Sequence, residues 1–227
     1  MFKRLINKGF TLAEVLITLT IIGVVAALAI PSLIQTTQNI QFKSAAKEAV
    51  SVIMRATSKM IFDQGGNIMG SFDNSTAVVN ALSSYMSVQK TCSLGNSMGT
   101  GKCYHYNFKF LNDQDYPSSA PYSAGSAGLI LNNGMLVNIY GGANGTETKT
   151  CSIESIPNFC ASIDIDVNGW KGPNKLGYDI VSIAIMPSRP AIDDVFGIND
   201  PCIYPPNTGW NNATNTGWMC ISKILKQ

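Results

Sequence analysis

Residues 9–34 read GFTLAEVLITLTIIGVVAALAIPSLI, and from Phe10 to Phe42 the one charged side chain is Glu14. As a helix rising 1.5 Å per residue, the 25 residues from Phe10 to Ile34 extend about 37 Å, enough to cross a hydrocarbon core of roughly 30 Å. Lys3, Arg4 and Lys8 precede this run. Such a basic flank stays on the cytoplasmic side, which sends the rest of the chain across the membrane.

Glu14 decides how the run is read. A carboxylate inside a membrane helix costs on the order of 2.5–3.5 kcal/mol near the helix centre, less toward the interface, and so calls for a partner. A cleaved secretory signal, with Ala27-Leu28-Ala29 as its cutting site, leaves Glu14 without a purpose. So does a plain single-pass anchor. A cut between Gly9 and Phe10 supplies the partner, because it creates an α-amino group at Phe10, one helical turn from Glu14 on the same face. The amine can then meet Glu14 of its own subunit or of a neighbour. In a low-dielectric bundle such a pair offsets its desolvation only with good geometry, so Glu14 can act as a register key between packed helices.

The basic leader, Gly9, Phe10, Thr11, Leu12, Glu14 and the apolar run together resemble the type IV pilin and pseudopilin superfamily. The resemblance covers residues 9–34, about a tenth of the chain. It implies that a membrane prepilin peptidase cuts after Gly9 and methylates Phe10, and that Glu14 meets a neighbouring subunit's amine. It also implies that Gly23 and Pro31 mark a helix that loosens in the filament. Glycine costs about 1 kcal/mol in a helix interior and proline removes a backbone donor, which fits that role.

Beyond residue 34 the helical pattern continues. Phe42, Ala45, Ala46, Ala49, Val50, Ile53, Ala56 and Met60 recur at helical spacing, with Lys43, Lys47, Glu48, Arg55 and Lys59 mostly between them. Gly65-Gly66 supplies a stop. The expectation is a leader at 1–9, a membrane and assembly helix at 10–34, its amphipathic continuation at 35–66, and a disulfide-containing, β-rich head at 67–227. Within the head a short helix is expected at 75–88 and a half-buried strand at 104–110, where Tyr104, Tyr106, Phe108 and Phe110 alternate with polar residues. Residues 113–126 read as a loop. Strands at 128–131 and 135–140 flank the hairpin turn Asn132-Asn133-Gly134, and two more lie at 162–167 and 178–186. The fold class expected is α+β, a long N-terminal helix packed on an antiparallel sheet in a lollipop shape, which is also the architecture of the pilin superfamily.

Composition limits the chemistry. Charged residues are 13% of the chain, against about 25% in ordinary soluble proteins. After Gly9 there remain 13 basic and 14 acidic side chains, which offers no basic face for nucleic acid. Cys92, Cys103, Cys151, Cys160, Cys202 and Cys220 contain no C-x-x-C pair, which disfavours zinc and thioredoxin-like sites. Spacing alone does not select a disulfide pairing; the sequential one is the expectation, since each bridge then closes a short loop. Disulfides also place the head outside the cytosol.

The densest polar string is Asp164-Ile165-Asp166-Val167-Asn168-Gly169-Trp170, followed by Gly172-Pro173-Asn174 and Asp179. Two readings stand side by side. In one, a strand with outward Asp164 and Asp166 ends in an Asn-Gly turn. In the other, Asp164, Asp166, Asn168 and Asp179 ligate Ca²⁺, as in the first half of an EF-hand loop, although Lys175 stands where the closing Glu belongs. No catalytic constellation is visible: His105 is the single histidine, Asp193, Asp194 and Asp200 read as solvated loop acids, and Trp170, Trp210 and Trp218 as structural or contact residues. The function expected is therefore a structural filament subunit with no enzymatic activity and no cofactor besides a candidate Ca²⁺. Its partners are prepilin peptidase, other subunits and the cytoplasmic membrane. The alternatives are a tip adhesin that binds through residues 201–220 and an exported enzyme whose mature chain starts near Ile30.

Overall fold

A computed structural model of the chain describes residues 9–115, 124–141, 151, 159–192 and 220–221. Expectations for the leader up to Lys8, for Asp193, Asp194 and Asp200, for Cys202, and for Trp210 and Trp218 lie outside the described residues. Contacts divide the chain into two units, residues 1–41 and 42–227.

The first unit is the N-terminal part of helix α1 (Leu12–Asp63), which passes Gly23 and Pro31 without a break in its assignment. Its leucines, isoleucines and valines are exposed, Leu28 at 76%. The hydroxyls of Thr18, Thr20, Ser32, Thr36 and Thr37 each donate to a backbone carbonyl three or four residues back. The polar groups within the oily stretch are thus satisfied inside the helix, as a hydrocarbon environment demands.

The second unit begins where α1 becomes one-sided. Ala46, Ala49, Val50, Ile53, Ala56, Thr57, Met60 and Ile61 are buried, a stripe at the 3.6-residue period. The helix ends at Gly65 and Gly66, both at positive φ, and the Gly66 amide donates back to the Ile61 carbonyl at 2.9 Å. A second helix, α2 (Ser75–Ser83), is capped by Asn74, whose side chain accepts from the Ala77 amide.

Six strands follow in chain order across one antiparallel sheet. They are β1 (Val88–Cys92), β2 (Ser126–Leu131), β3 (Leu136–Gly141), β4 (Ala161–Asp166), β5 (Ile180–Ile185) and β6 (Pro190–Ala191). Alternation sends Leu129, Val137, Ile139, Ile163, Ile165, Val181 and Ile183 into a core shared with Ile53, Met60, Val78 and Leu82 of the helices. The opposite face is buried too. There Met98, Tyr104, Phe108 and Phe110 pack on Leu136, Leu176 and Ile180. A polar row crosses the same face, with Asn138 opposite Asp164 and Asp164 opposite Ser182. The fold is α+β, with a long apolar N-terminal helix and an antiparallel sheet.

Cys92 is bridged to Cys103, with Cα atoms 6.0 Å apart, and Cys151 to Cys160. Cys220 is also disulfide-bonded. The first bridge lies against β2 at Gly128, opposite Cys92 in the ladder; a Cβ there would stand 2.9 Å from that of Cys103.

Two local expectations need correction, and one short strand was not expected. Residues 104–110 form no strand: Tyr106 is 46% exposed, and among the described residues the segment makes isolated bridges to Met98, Asp115 and Lys175. Its aromatics anchor an irregular cover on the sheet. The helix expected at 75–88 ends at Ser83, and Val88 opens β1, an edge strand whose exposed middle masks the alternation. The two-residue β6 carries no periodic signal at all.

Candidate functional site

Two places gather the residues singled out by sequence. At the first, Thr11 precedes α1 and its backbone amide and hydroxyl both donate to Glu14 Oε2 at 2.8 Å. The Glu14 amide in turn donates to the Thr11 hydroxyl at 3.2 Å. This is a capping box, in which the residue before the helix and the third residue inside it satisfy each other's free amides. Phe10 is 88% exposed beside it, and a Cβ on Gly9 or Gly23 would meet nothing within 4 Å. The capping role of Thr11 was missed from sequence, although the spacing Thr-x-x-Glu before an apolar run announces it.

The second place is the connection between β4 and β5. Asp164 leaves the group: its carboxylate accepts from the Ser182 hydroxyl on the neighbouring strand. Asp166, Asn168 and Asp179 do come together. Asp166 Oδ1 accepts from the Asn168 amide at 3.1 Å, and the Asp179 oxygens accept from the Asn174 and Lys175 amides at 2.8 and 2.6 Å. The Asn168 side-chain amide donates to the Gly172 carbonyl at 3.0 Å. Among the described residues no group of three or more His, Cys, Asp or Glu side chains is placed to hold a metal ion.

His105 enters this loop from the irregular cover. Its Nε2 lies 3.0 Å from Asp166 Oδ2 and 3.0 Å from the Gly169 carbonyl oxygen, and it is 7% exposed. The Trp170 ring meets it edge-on, with centroids 4.9 Å apart. Burial pushes the Asp166 carboxyl up and the Asp179 charge adds to this, while His105 and the Asn168 amide pull it back, leaving it at about 6. Burial depresses the His105 imidazole, but hydrogen bonds to Asp166 and Gly169 and the charges of Asp166 and Asp179 outweigh it, so the net shift is upward.

The turn that presents the Gly169 carbonyl requires glycine. Gly169 has φ +73°, and a Cβ there would stand 2.6 Å from the Gly134 carbonyl oxygen at the β2–β3 hairpin tip. Nearby, Lys175 Nζ pairs with Asp113 at 2.7 Å, and the Lys109 amide donates to the Asn174 carbonyl at 2.9 Å. His105, Lys109 and Asp113 thereby clamp the cover onto the loop. Nothing in the order of the chain pairs His105 with Asp166, so this site was not legible as a unit.

Comparison with known proteins decides between the readings of the N-terminus. Residues 4–30 match the family model for the prokaryotic N-terminal methylation motif. The chain carries a prepilin signature. No curated protein and no solved structure matches the chain significantly. The signature supports a type IV pilin-like or pseudopilin subunit, points to a structural role and not to an enzyme, and implies processing by a prepilin peptidase and assembly with other subunits. With the exposed apolar helix it fits a protein anchored in a membrane before assembly.

Proposed function

We propose that the protein is a structural subunit of a type IV pilus or type II secretion pseudopilus, cleaved between Gly9 and Phe10, methylated at Phe10, and built into a helical filament through residues 10–34. The supporting observation is the methylation motif over residues 4–30, on a helix whose hydrophobic side chains are uncovered. Uncovered, that surface rests in lipid. In a filament it exchanges lipid for the same helices of neighbouring subunits, and Gly23 and Pro31 give the helix places to yield.

Glu14 has two partners in this scheme. Before assembly its carboxylate is held by Thr11 of its own chain, which lowers the cost of carrying a charge into lipid. In the filament it receives the Phe10 amine of a neighbour, which sets the axial register. Replacing Glu14 by Val is expected to leave cleavage intact and to block incorporation into filaments. Normal filaments from that variant would refute the register role. Gly9→Val is expected to leave the leader attached. Intact-mass measurement of the membrane-extracted protein reads both cleavage and methylation: the expected mature chain starts at Phe10 and carries one added methyl, whereas a start near Ile30 removes the reading altogether.

A further inference from the structure

The outward side of α1 in the second unit carries its charges unevenly. Lys43, Lys47, Arg55 and Lys59 fall on one ridge, at intervals of four or eight residues, and Asp63 ends it. Glu48 is the one other carboxylate from Lys43 to Asp63, and no ion pair among the described residues involves any of these six side chains. Like charges four residues apart work against a helix, so the ridge carries a cost that its own chain does not offset. The upper cations are engaged locally. Arg55 Nε donates to the Ser51 carbonyl at 3.2 Å, and Lys59 Nζ lies over the Tyr85 ring, 5.6 Å from its centroid. Lys43 and Lys47 make no hydrogen bond among the described residues, and Lys47 is exposed.

The far end of the ridge is their complement. The Tyr85 hydroxyl donates to Asp63 Oδ2 at 2.6 Å, which orients the carboxylate and leaves Oδ1 for a cation. Phe62, next to it, is 78% exposed, and Met69, just past the Gly65-Gly66 turn, is 57% exposed. An uncovered aromatic ring beside a held acid suits a lysine, whose stem is apolar and whose tip is charged. Within one chain the two ends cannot meet: Lys47 and Asp63 stand about 24 Å apart along a single helix. In a filament of parallel copies displaced along a common axis, they can.

We infer that the Phe62–Asp63 end of α1 in one copy docks on Lys43 and Lys47 of a second copy, displaced along the filament axis. This rests on the filament reading above and gives it a contact within the heads. The test is carbodiimide treatment of intact filaments, which joins a lysine amine to a carboxylate with no spacer, followed by peptide mass spectrometry. A Lys43–Asp63 or Lys47–Asp63 link is expected. A span of about 24 Å or more along one helix means that such a link joins two copies. It is read on the unaltered chain, so it does not depend on how any variant folds. Lys43→Glu with Lys47→Glu is expected to lose most filaments while melting as before, and adding Asp63→Lys is expected to restore them. Intact filaments without either link, undiminished filaments from the reversed pair, or no restoration by Asp63→Lys overturns the inference and leaves the filament reading standing. A Lys47 link to a carboxylate of another protein overturns it as well. An unaltered chain that is processed to Phe10 yet never found in a filament removes both.

Discussion

A buried histidine facing a buried carboxylate makes stability depend on pH in a definite direction. The Asp166 carboxyl moves from an ordinary value of 3.8 up to about 6 in the folded chain, so the fold holds a proton that the unfolded chain has released. His105 moves upward from 6.5, and its contribution is complete below that value and lost as pH rises through the raised folded one. Both groups therefore lower stability as pH climbs from about 4 to beyond 7. Exposed Asp113, drawn down by Lys175, acts with the opposite sign at acid pH. The measurement is the difference in melting temperature between the unaltered protein and Asp166→Asn from pH 4 to 8, expected to shrink or reverse toward alkaline pH; a flat difference contradicts the assignment. Gly169→Ala tests the neighbouring turn. It forces a side chain into positive φ and against the Gly134 carbonyl, with an expected loss of about 1–3 kcal/mol in denaturant titration. These residues show what a sequence conceals. The string Asp164 to Asn174 stood out by spacing, but spacing could not tell that Asp164 faces Ser182 or that His105 arrives from some sixty residues upstream.

At the level of elements, periodicity proved a dependable guide wherever one face is buried against another element. The stripe on α1 from Ala46 to Ile61 and the hairpin around Asn132-Asn133-Gly134 both follow from pattern and turn chemistry. Ile53 is 0% exposed at the centre of that stripe, and Ile53→Ala is expected to cost about 2–5 kcal/mol in equilibrium unfolding. A loss under 1 kcal/mol would mean that the helix is not packed on the sheet as described. Pattern failed where burial comes from irregular backbone. Tyr104, Phe108 and Phe110 alternate like a strand because a cover on one sheet face also has an inner and an outer side. Thr11 was read as part of a motif and not as a cap, since the processing chemistry at Gly9 had already given Glu14 a partner. The capping box adds a second expectation there: Thr11→Ala removes a donor to Glu14 and should slow insertion of the precursor, measured by the membrane-bound fraction in a pulse-labelling experiment.

For the molecule as a whole, the two units differ in where their apolar side chains lie. Among the described residues, the large hydrophobic side chains from Phe10 to Ile40 are exposed, while the buried ones of the second unit gather in two clusters on the two faces of a sheet. The bridge from Cys92 to Cys103 fixes the start of the outer cover to the sheet edge. Replacing both cysteines, Cys92→Ala with Cys103→Ala, is expected to lower stability by about 2–4 kcal/mol, seen as a lower denaturant midpoint. Because the six strands lie side by side in the order in which they are made, a chain delivered N-terminus first always finds the neighbour of each new strand already in place. Such a sheet can pair its strands progressively, each on the one made before it, and Ile221, buried in the same core, closes it last.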